Sequence, residues 1–256
     1  MKKKKIAAVA VSSVLLFVAG IVLSLCLGSR TVAFTKVLEA LSGKHVETLG
    51  AKVVLARVPR TIFGILAGGA LGISGTLMQS ITRNPVADPS ILGVNTGASL
   101  FVVIGIAYLH ISAASQYIWL AIFGALLTTL LVYGVASLGK EGATPLKLAL
   151  SGSAVAITLG SLVSTIMLPN DKVMQNFRFW TVGSIGRATT ESIRLIAPFI
   201  AVGFLLAMLL ASQLNALALG DEAASSLGVN VRFVRAAGTV ASVLLCGATT
   251  ALAGPI

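Results

Sequence analysis

The residues best suited to chemistry lie in the segment 79–98, between two long apolar stretches. This segment carries Arg83 and Asp88, two opposite charges a few residues apart at the point where the chain should leave a membrane. Pro85 and Pro89 end any helix and bias the residues before them to extended or turn geometry. A prolyl turn between two membrane helices is the simplest interpretation, and two prolines alone do not exclude it.

A second polar segment, 217–229, also lies between apolar stretches. Asp221 and Glu222 suit the start of a short helix, because the helix macrodipole favours anions there. Gly228 suits the position just past its end. The segment is too polar to span a membrane, so we expect a short helix at the membrane surface. It is either a solvated interfacial helix or a docking point for a partner.

A third candidate is the motif 57–60, which holds Arg57 and Arg60 directly before an apolar stretch. Arginines at this depth are commonly interfacial anchors among lipid headgroups. Their planar fork is also well suited to bidentate pairing with carboxylates.

The elements that position these residues are membrane helices. Hydrophobic residues make up 56% of the chain and charged residues 11%, whereas soluble domains are about a quarter charged. A spanning helix needs ~20 apolar residues. Seven stretches approach or exceed this length: Ile6–Leu27, Thr61–Ile81, Ile91–Leu109, Tyr117–Leu138, Leu148–Leu168, Ile193–Ala211 and Ala236–Ala253. We therefore predict an all-α, polytopic transmembrane helical bundle with about seven spans, as one domain over 1–256.

Charge distribution bounds the topology. Lys2–Lys5 precede the first span, which is longer than a cleavable signal core, so we expect an uncleaved helix with a cytoplasmic N-terminus. From there Lys and Arg divide about evenly between the two sides. The net charge of +11 is scattered over loops without interleaved aromatics, which argues against nucleic acid. Cys26 and Cys246 lie in apolar segments and suggest neither a disulfide nor a metal site.

Three patterns refine the bundle. In the loop 29–60, apolar residues at 34, 37, 38 and 41 predict a short amphipathic helix on the outer surface. Glycines at 64, 68 and 72 predict close helix packing. Hydroxyl residues follow one face of the fifth span: Ser151, Thr158, Ser161 and Thr165. They either line a polar path or bond back to the backbone, as Ser and Thr often do in membrane helices.

No span carries an ionisable residue in its middle. All eight acidic residues lie in loops or at helix ends, whereas ion-coupled transporters usually need such groups at membrane depth. No phosphate-binding glycine loop followed by Lys-Ser/Thr is present either. If the chain moves a solute uphill, its energy must come from a partner.

The segment 79–98 closely resembles the signature loop of the iron–siderophore, haem and vitamin B12 permease family, the membrane subunits of binding-protein-dependent ABC importers. The resemblance touches nearly every segment from Arg57 to Ile256. It implies a bacterial plasma-membrane protein, most often serving iron(III)–siderophore complexes. Its expected partners are cytoplasmic ATP-binding subunits, an extracytoplasmic binding protein, a second identical or similar permease and the lipid bilayer. No cofactor is expected on this chain, since ATP and Mg²⁺ bind the partner, and neither a catalytic residue nor a metal site is expected.

The resemblance also implies roles for particular residues. The loop 214–231 resembles a cytoplasmic coupling helix that seats on the ATPase: Leu219, Gly220, Asp221, Glu222, Ala223, Ala224, Ser225, Leu227 and Gly228. Arg57 and Arg60 would meet acidic residues of the binding protein. Asn84, Val86 and the loop 142–145, with Thr144, would form an inner gate, and the hydroxyl stripe would border the path. The aromatic segment 177–184 would lie at the outer mouth. At ~20 residues a span, the family's roughly ten helices need more chain than is present, so we expect a truncated permease.

Two other classes remain as alternatives. An ion-coupled secondary transporter or channel is disfavoured by the absence of intramembrane charge. A rhomboid-like protease is suggested by the motif Gly72-Ile73-Ser74-Gly75, but its serine needs a histidine base, and the two histidines are His45, in a loop, and His110, at the end of a span.

Overall fold

The structure is a computed structural model that describes residues 2–43, 47–111, 114–138 and 143–255. Within these ranges the regular structure is helical, as the sequence predicts. The α-helices are α1 Lys2–Cys26, α2 Phe34–Leu41, α3 Leu49–Thr82, α4 Val94–Tyr108, α5 Ala114–Ala136, α6 Pro145–Met167, α7 Asp171–Thr181, α8 Thr190–Leu217, α9 Asp221–Ser226 and α10 Val231–Ala253. Two 3-10 turns cover Pro89–Leu92 and Ile185–Arg187.

Six of the described helices are long and apolar enough to cross a membrane: α1, α3, α5, α6, α8 and α10. The seventh predicted span, Ile91–Leu109, is wrong as one continuous helix. Pro89 starts a 3-10 turn, and Gly93 at φ 72° adopts a left-handed conformation that breaks the chain direction. The remainder forms α4, an apolar helix of only 15 residues.

Two predicted loops contain more helix than expected. The amphipathic helix predicted in the loop 29–60 is α2, but α3 already begins at Leu49, so the second half of that loop is helical. Pro59 lies inside α3, at the cost of one backbone hydrogen bond. The predicted loop after the fifth span contains α7, which begins where the Asn170 side chain accepts hydrogen bonds from the amides of Lys172 and Val173.

The chain forms two compact units, Met1–Ile65 and Leu66–Ile256. The core of the first unit joins α2 to the start of α3 through Val37, Ala40, Ala51 and Val54. In the second unit α10 is the central helix and packs against α8 and α5, while α4 packs against α5 and α6.

Close helix packing occurs at glycines other than the predicted ones. A Cβ added at Gly68 or Gly72 would meet no described atom, so the glycine spacing in α3 does not mark a close contact of the second unit. The close approach lies between α4 and α5, where a Cβ on Gly97 would come within 2.6 Å of the Gly124 carbonyl oxygen. The prediction used spacing alone, and spacing does not identify which helix lies opposite.

Candidate functional site

The short helix α9 is a polar turn whose inner side packs against the ends of α8 and α10. Gly220 at φ 123° precedes it and Gly228 at φ 80° follows it, both in conformations that favour glycine. Ala224 is fully buried and packs in a cluster with Leu217 and Val234. The outward surface carries Glu222 and Ser225, with Leu219 and Leu227 on either side at 71% and 65% exposure. Exposed leucines flanking a polar turn suit a docking surface.

Asp221 is engaged by two arginines although its side chain is 46% exposed, unlike Glu222, the other acidic residue of the turn. Its Oδ1 accepts a hydrogen bond from the Arg235 guanidinium at 2.9 Å and forms an ion pair with Arg83. Arg83 also donates from Nε to the carbonyl oxygen of Leu217, at the end of α8, at 3.0 Å. One carboxylate therefore links α9 to the second turn of α10 and to the residue that follows α3. Sequence analysis missed this cluster, because no spacing in the chain relates positions 83, 221 and 235.

The segment after α3 is a turn ordered by its own side-chain hydrogen bonds. Arg83 has a positive φ of 51°, which reverses the chain at once. The Asn84 side-chain Oδ1 accepts a hydrogen bond from the Val86 amide at 3.1 Å, and the Asp88 Oδ1 accepts one from the Ser90 amide at 2.7 Å. Val86 is left 80% exposed. The segment 83–88 is called the gate loop below.

The two predicted gate elements meet at one cavity of about 270 Å³. It is lined by residues of α3, the gate loop, the following 3-10 turn and the start of α6: Met78, Thr82, Asn84, Ala87, Ile91, Leu92, Pro145, Leu146, Leu148 and Ala149. Thr144 caps α6 by accepting from the Lys147 amide, and Gly142 lies outside the described residues. Asn84 and Pro145 thus line the same cavity, whereas Val86 and Thr144 do not.

The hydroxyl stripe of α6 is solvent-accessible in the isolated chain along most of its length. Thr158, Ser161 and Thr165 are exposed, and each donates to the carbonyl four residues earlier at 2.9–3.0 Å. Ser151 is half-buried. The hydrogen bonds to the backbone, one of the two alternatives from the sequence, are therefore present. The face that carries these side chains is exposed and can contact another surface.

Arg57 and Arg60 are both engaged inside the first unit. Arg57 is 6% exposed and donates to the carbonyls of Leu25 and Arg30, at 2.8 and 2.5 Å. Arg60 donates to the Ser24 carbonyl at 3.2 Å. The predicted binding-protein role needs a free guanidinium fork, and in this conformation the fork of Arg57 is occupied by backbone carbonyls around the end of α1.

Ser74, the serine of the protease-like motif, is buried at a helix crossing. Its Oγ donates to the Ser242 carbonyl at 2.7 Å and lies 2.8 Å from the Ser242 hydroxyl. His110 lies two residues beyond the end of α4, and His45 lies outside the described residues. The described partner of Ser74 is thus another serine on α10, which suits helix packing rather than nucleophilic chemistry.

The aromatic segment after α6 is partly core. Phe177 and Trp180 of α7 are buried with ring centroids 5.8 Å apart, while Phe179 and Val182 are exposed. The Ser184 amide donates to the carbonyl of Ala253, the last residue of α10, at 2.8 Å. This segment therefore closes the end of α10 opposite to Arg235.

Membrane-length apolar helices joined by structured polar turns define a polytopic membrane protein. The FecCD transport family profile matches residues 15–256, and the chain belongs to this family. The predicted resemblance and the all-α membrane fold are thereby confirmed.

Among its relatives, the ferric enterobactin transport system permease protein FepD of Escherichia coli strain K12 is 40% identical, over 94% of this chain and 72% of that protein. The Fe(3+)-citrate import system permease protein YfmD of Bacillus subtilis strain 168 is 37% identical, over 95% and 72%. The hemin transport system permease protein HmuU of Yersinia pestis is 33% identical, over 78% and 61%. The chain therefore spans about two thirds of the length of these relatives.

A solved structure described as an inward-facing conformation of a metal-chelate type ABC transporter superposes with a TM-score of 0.75. It shares 23% sequence identity and covers 95% of this chain and 74% of the other. At this identity the likeness establishes the fold.

Proposed function

We propose that this chain is the membrane subunit of an ABC importer that carries an iron(III)–siderophore complex across the bacterial plasma membrane. It works as a homodimer or with a similar permease, receives its cargo from an extracytoplasmic binding protein and passes it along the dimer axis. Cytoplasmic ATPases power the cycle, and this chain performs no covalent step.

The surface of α9 is the observation that carries this proposal. A six-residue helix can present a rigid face only if something holds it, and here Ala224 and Asp221 fix its inner side. Leu219 and Leu227 are left as apolar contacts on either side of Glu222. Such a protruding turn suits insertion into a groove on a cytoplasmic subunit, which could push on the bundle through α8 and α10.

The cargo assignment rests on the relatives. Their names specify ferric enterobactin, ferric citrate and hemin, which are all chelated iron. The hydroxyl stripe of α6 offers a polar face suited to a hydrophilic chelate, and we propose that it borders the path. We further propose that the cavity lined by Asn84 and Pro145 lies at the inner mouth of this path, which is consistent with the meeting of the two predicted gate elements there.

The test replaces Leu219 or Leu227 with aspartate in the permease. Each variant should lose co-purification with the ATPase and lose ATP-dependent uptake of radio-iron in proteoliposomes. Leu168→Asp is the matched control. Leu168 is 68% exposed and directly follows the C-terminal end of α6, whereas the N-terminal end of α6 lines the cavity. Equal ATPase binding by all three variants would contradict the docking surface.

The same proteoliposomes test the cargo. Ferric enterobactin, ferric citrate and hemin are supplied separately, each with the binding protein that recognises it. Uptake of one iron(III) chelate is expected. ATP-independent uptake driven by an ion gradient would overturn the importer and favour the secondary transporter.

A further inference from the structure

We propose that Arg83 and Asp221 form a mechanical link that makes the gate loop move with α9, so that both residues position the gate for transport. The inference rests on the proposed function, since it specifies how force applied to α9 reaches the gate. Neither residue needs to touch the cargo.

The link is direct because Arg83 is the first residue of the gate loop. Its guanidinium reaches the Asp221 carboxylate and the Leu217 carbonyl, so it contacts both the start of α9 and the end of α8. Asn84, the next residue, lines the cavity at the inner mouth and accepts from the Val86 amide. A displacement of α9 would therefore act on the gate loop through one side chain.

The backbone at Arg83 strengthens this interpretation. A non-glycine residue with a φ of 51° is uncommon and persists where its surroundings fix it. Two contacts from the Arg83 guanidinium supply such fixation. Loss of the side chain would free the turn that aims the gate loop.

Because Arg235 also binds Asp221, removing Asp221 and removing Arg83 should have different effects. The Arg235 side chain is 10% exposed, whereas that of Arg83 is 36% exposed, and both approach the same Asp221 oxygen. Removing Asp221 would leave the nearly buried Arg235 without this counter-ion, which is strongly destabilising in general. Arg83→Gln is therefore the cleaner variant, because it preserves the Asp221–Arg235 pair.

The experiment compares Arg83→Gln, Arg83→Lys and Arg232→Gln in the permease assembled with its ATPase. Arg232 is the matched control, since it is also an arginine, lies exposed in the first turn of α10 and makes no ion pair with any described residue. Arg83→Gln should keep ATPase binding and ATP hydrolysis but lower iron uptake per ATP about tenfold. Arg83→Lys should recover part of this loss, and Arg232→Gln should leave uptake per ATP unchanged.

A double-mutant cycle identifies the pair. If Arg83 acts through Asp221, Arg83→Gln combined with Asp221→Asn should be no worse than Asp221→Asn alone. Additive losses, or unchanged uptake per ATP in Arg83→Gln, would overturn the link. A loss of uptake that merely follows reduced protein level or reduced ATPase binding would also overturn it.

A distance measurement separates this inference from the proposed function. Nitroxide labels at Val86→Cys and Ser225→Cys, with Cys26 and Cys246 replaced by alanine, report the gate loop and α9 directly. Arg83→Gln should broaden the distance distribution, and Arg232→Gln should not. If the permease binds no ATPase but Arg83→Gln still broadens the distance distribution, the proposed function fails while the link stands. An unchanged distribution in Arg83→Gln contradicts the link whatever the ATPase does.

Discussion

At the scale of single residues, burial gives Arg57 a structural role beside the two roles that its sequence position leaves open. Sequence alone places two arginines at a membrane boundary, where either anchoring or carboxylate binding is reasonable. The structure gives Arg57 two carbonyl partners around the end of α1, and Gly28 leaves room for its guanidinium, since a Cβ there would lie 2.6 Å from Nη2. Arg57 thus satisfies backbone acceptors that a helix end leaves unpaired.

Arg57→Gln should therefore lower stability by about 1.5–3 kcal/mol, the usual value for hydrogen bonds from charged groups. The apparent melting temperature of the detergent-purified protein measures this loss. Arg60→Gln is the control and should cost less, because Arg60 makes one described hydrogen bond of 3.2 Å. If Arg57→Gln instead weakened binding of the extracytoplasmic partner without lowering the melting temperature, the docking role would be correct.

At the scale of elements, the contact between α6 and the 3-10 turn after the gate loop depends on one glycine. A Cβ added at Gly152 would overlap the Ile91 carbonyl oxygen, which is backbone and cannot rotate away. Gly160 lies two turns further along the same helix, and a Cβ there would meet no described atom.

Gly152→Ala should consequently destabilise the protein by about 1–3 kcal/mol, as overpacked positions do. Gly160→Ala should be neutral or stabilising by up to about 1 kcal/mol, since alanine favours helix more than glycine does. Thermal unfolding in detergent measures both variants side by side. Equal melting temperatures for the two would show that α6 does not approach the turn this closely.

The elements also show how far sequence reasoning reaches. Six of the seven predicted spans correspond to membrane-length helices, because burial in lipid requires length and apolarity, which the sequence displays directly. The run at 91–109 misled because hydropathy does not register the turn at Pro89 and the left-handed Gly93. The predicted loop 29–60 was wrong in the opposite direction, since α3 begins at Leu49 and continues through Pro59. The link between Arg83 and Asp221 joins residues 138 positions apart, and only the fold brings them together.

At the scale of the whole molecule, α10 separates two polar faces of the second unit. Arg235, in its first turns, binds Asp221, and Ala253, its last residue, accepts from the Ser184 amide. A helix of 23 residues is about 34 Å long, enough to cross the hydrocarbon core. The gate loop and α9 therefore share one face, and the segment around Val182 lies on the other.

This separation predicts a topology that labelling can measure. The lysine-rich start predicts a cytoplasmic N-terminus, and if α1 and α3 each cross the membrane once, we expect Arg83 on the cytoplasmic side. In a background without Cys26 and Cys246, Val86→Cys and Ser225→Cys should react with a membrane-impermeant maleimide only in inside-out vesicles. Val182→Cys should react only in intact spheroplasts. The comparison is fair because Val182 is 82% exposed and Val86 is 80% exposed. Labelling of all three from the reverse sides would invert the orientation but keep the fold. Labelling of Val86→Cys and Ser225→Cys from different sides would contradict the shared face itself, and with it the path by which an ATPase on α9 could move the gate.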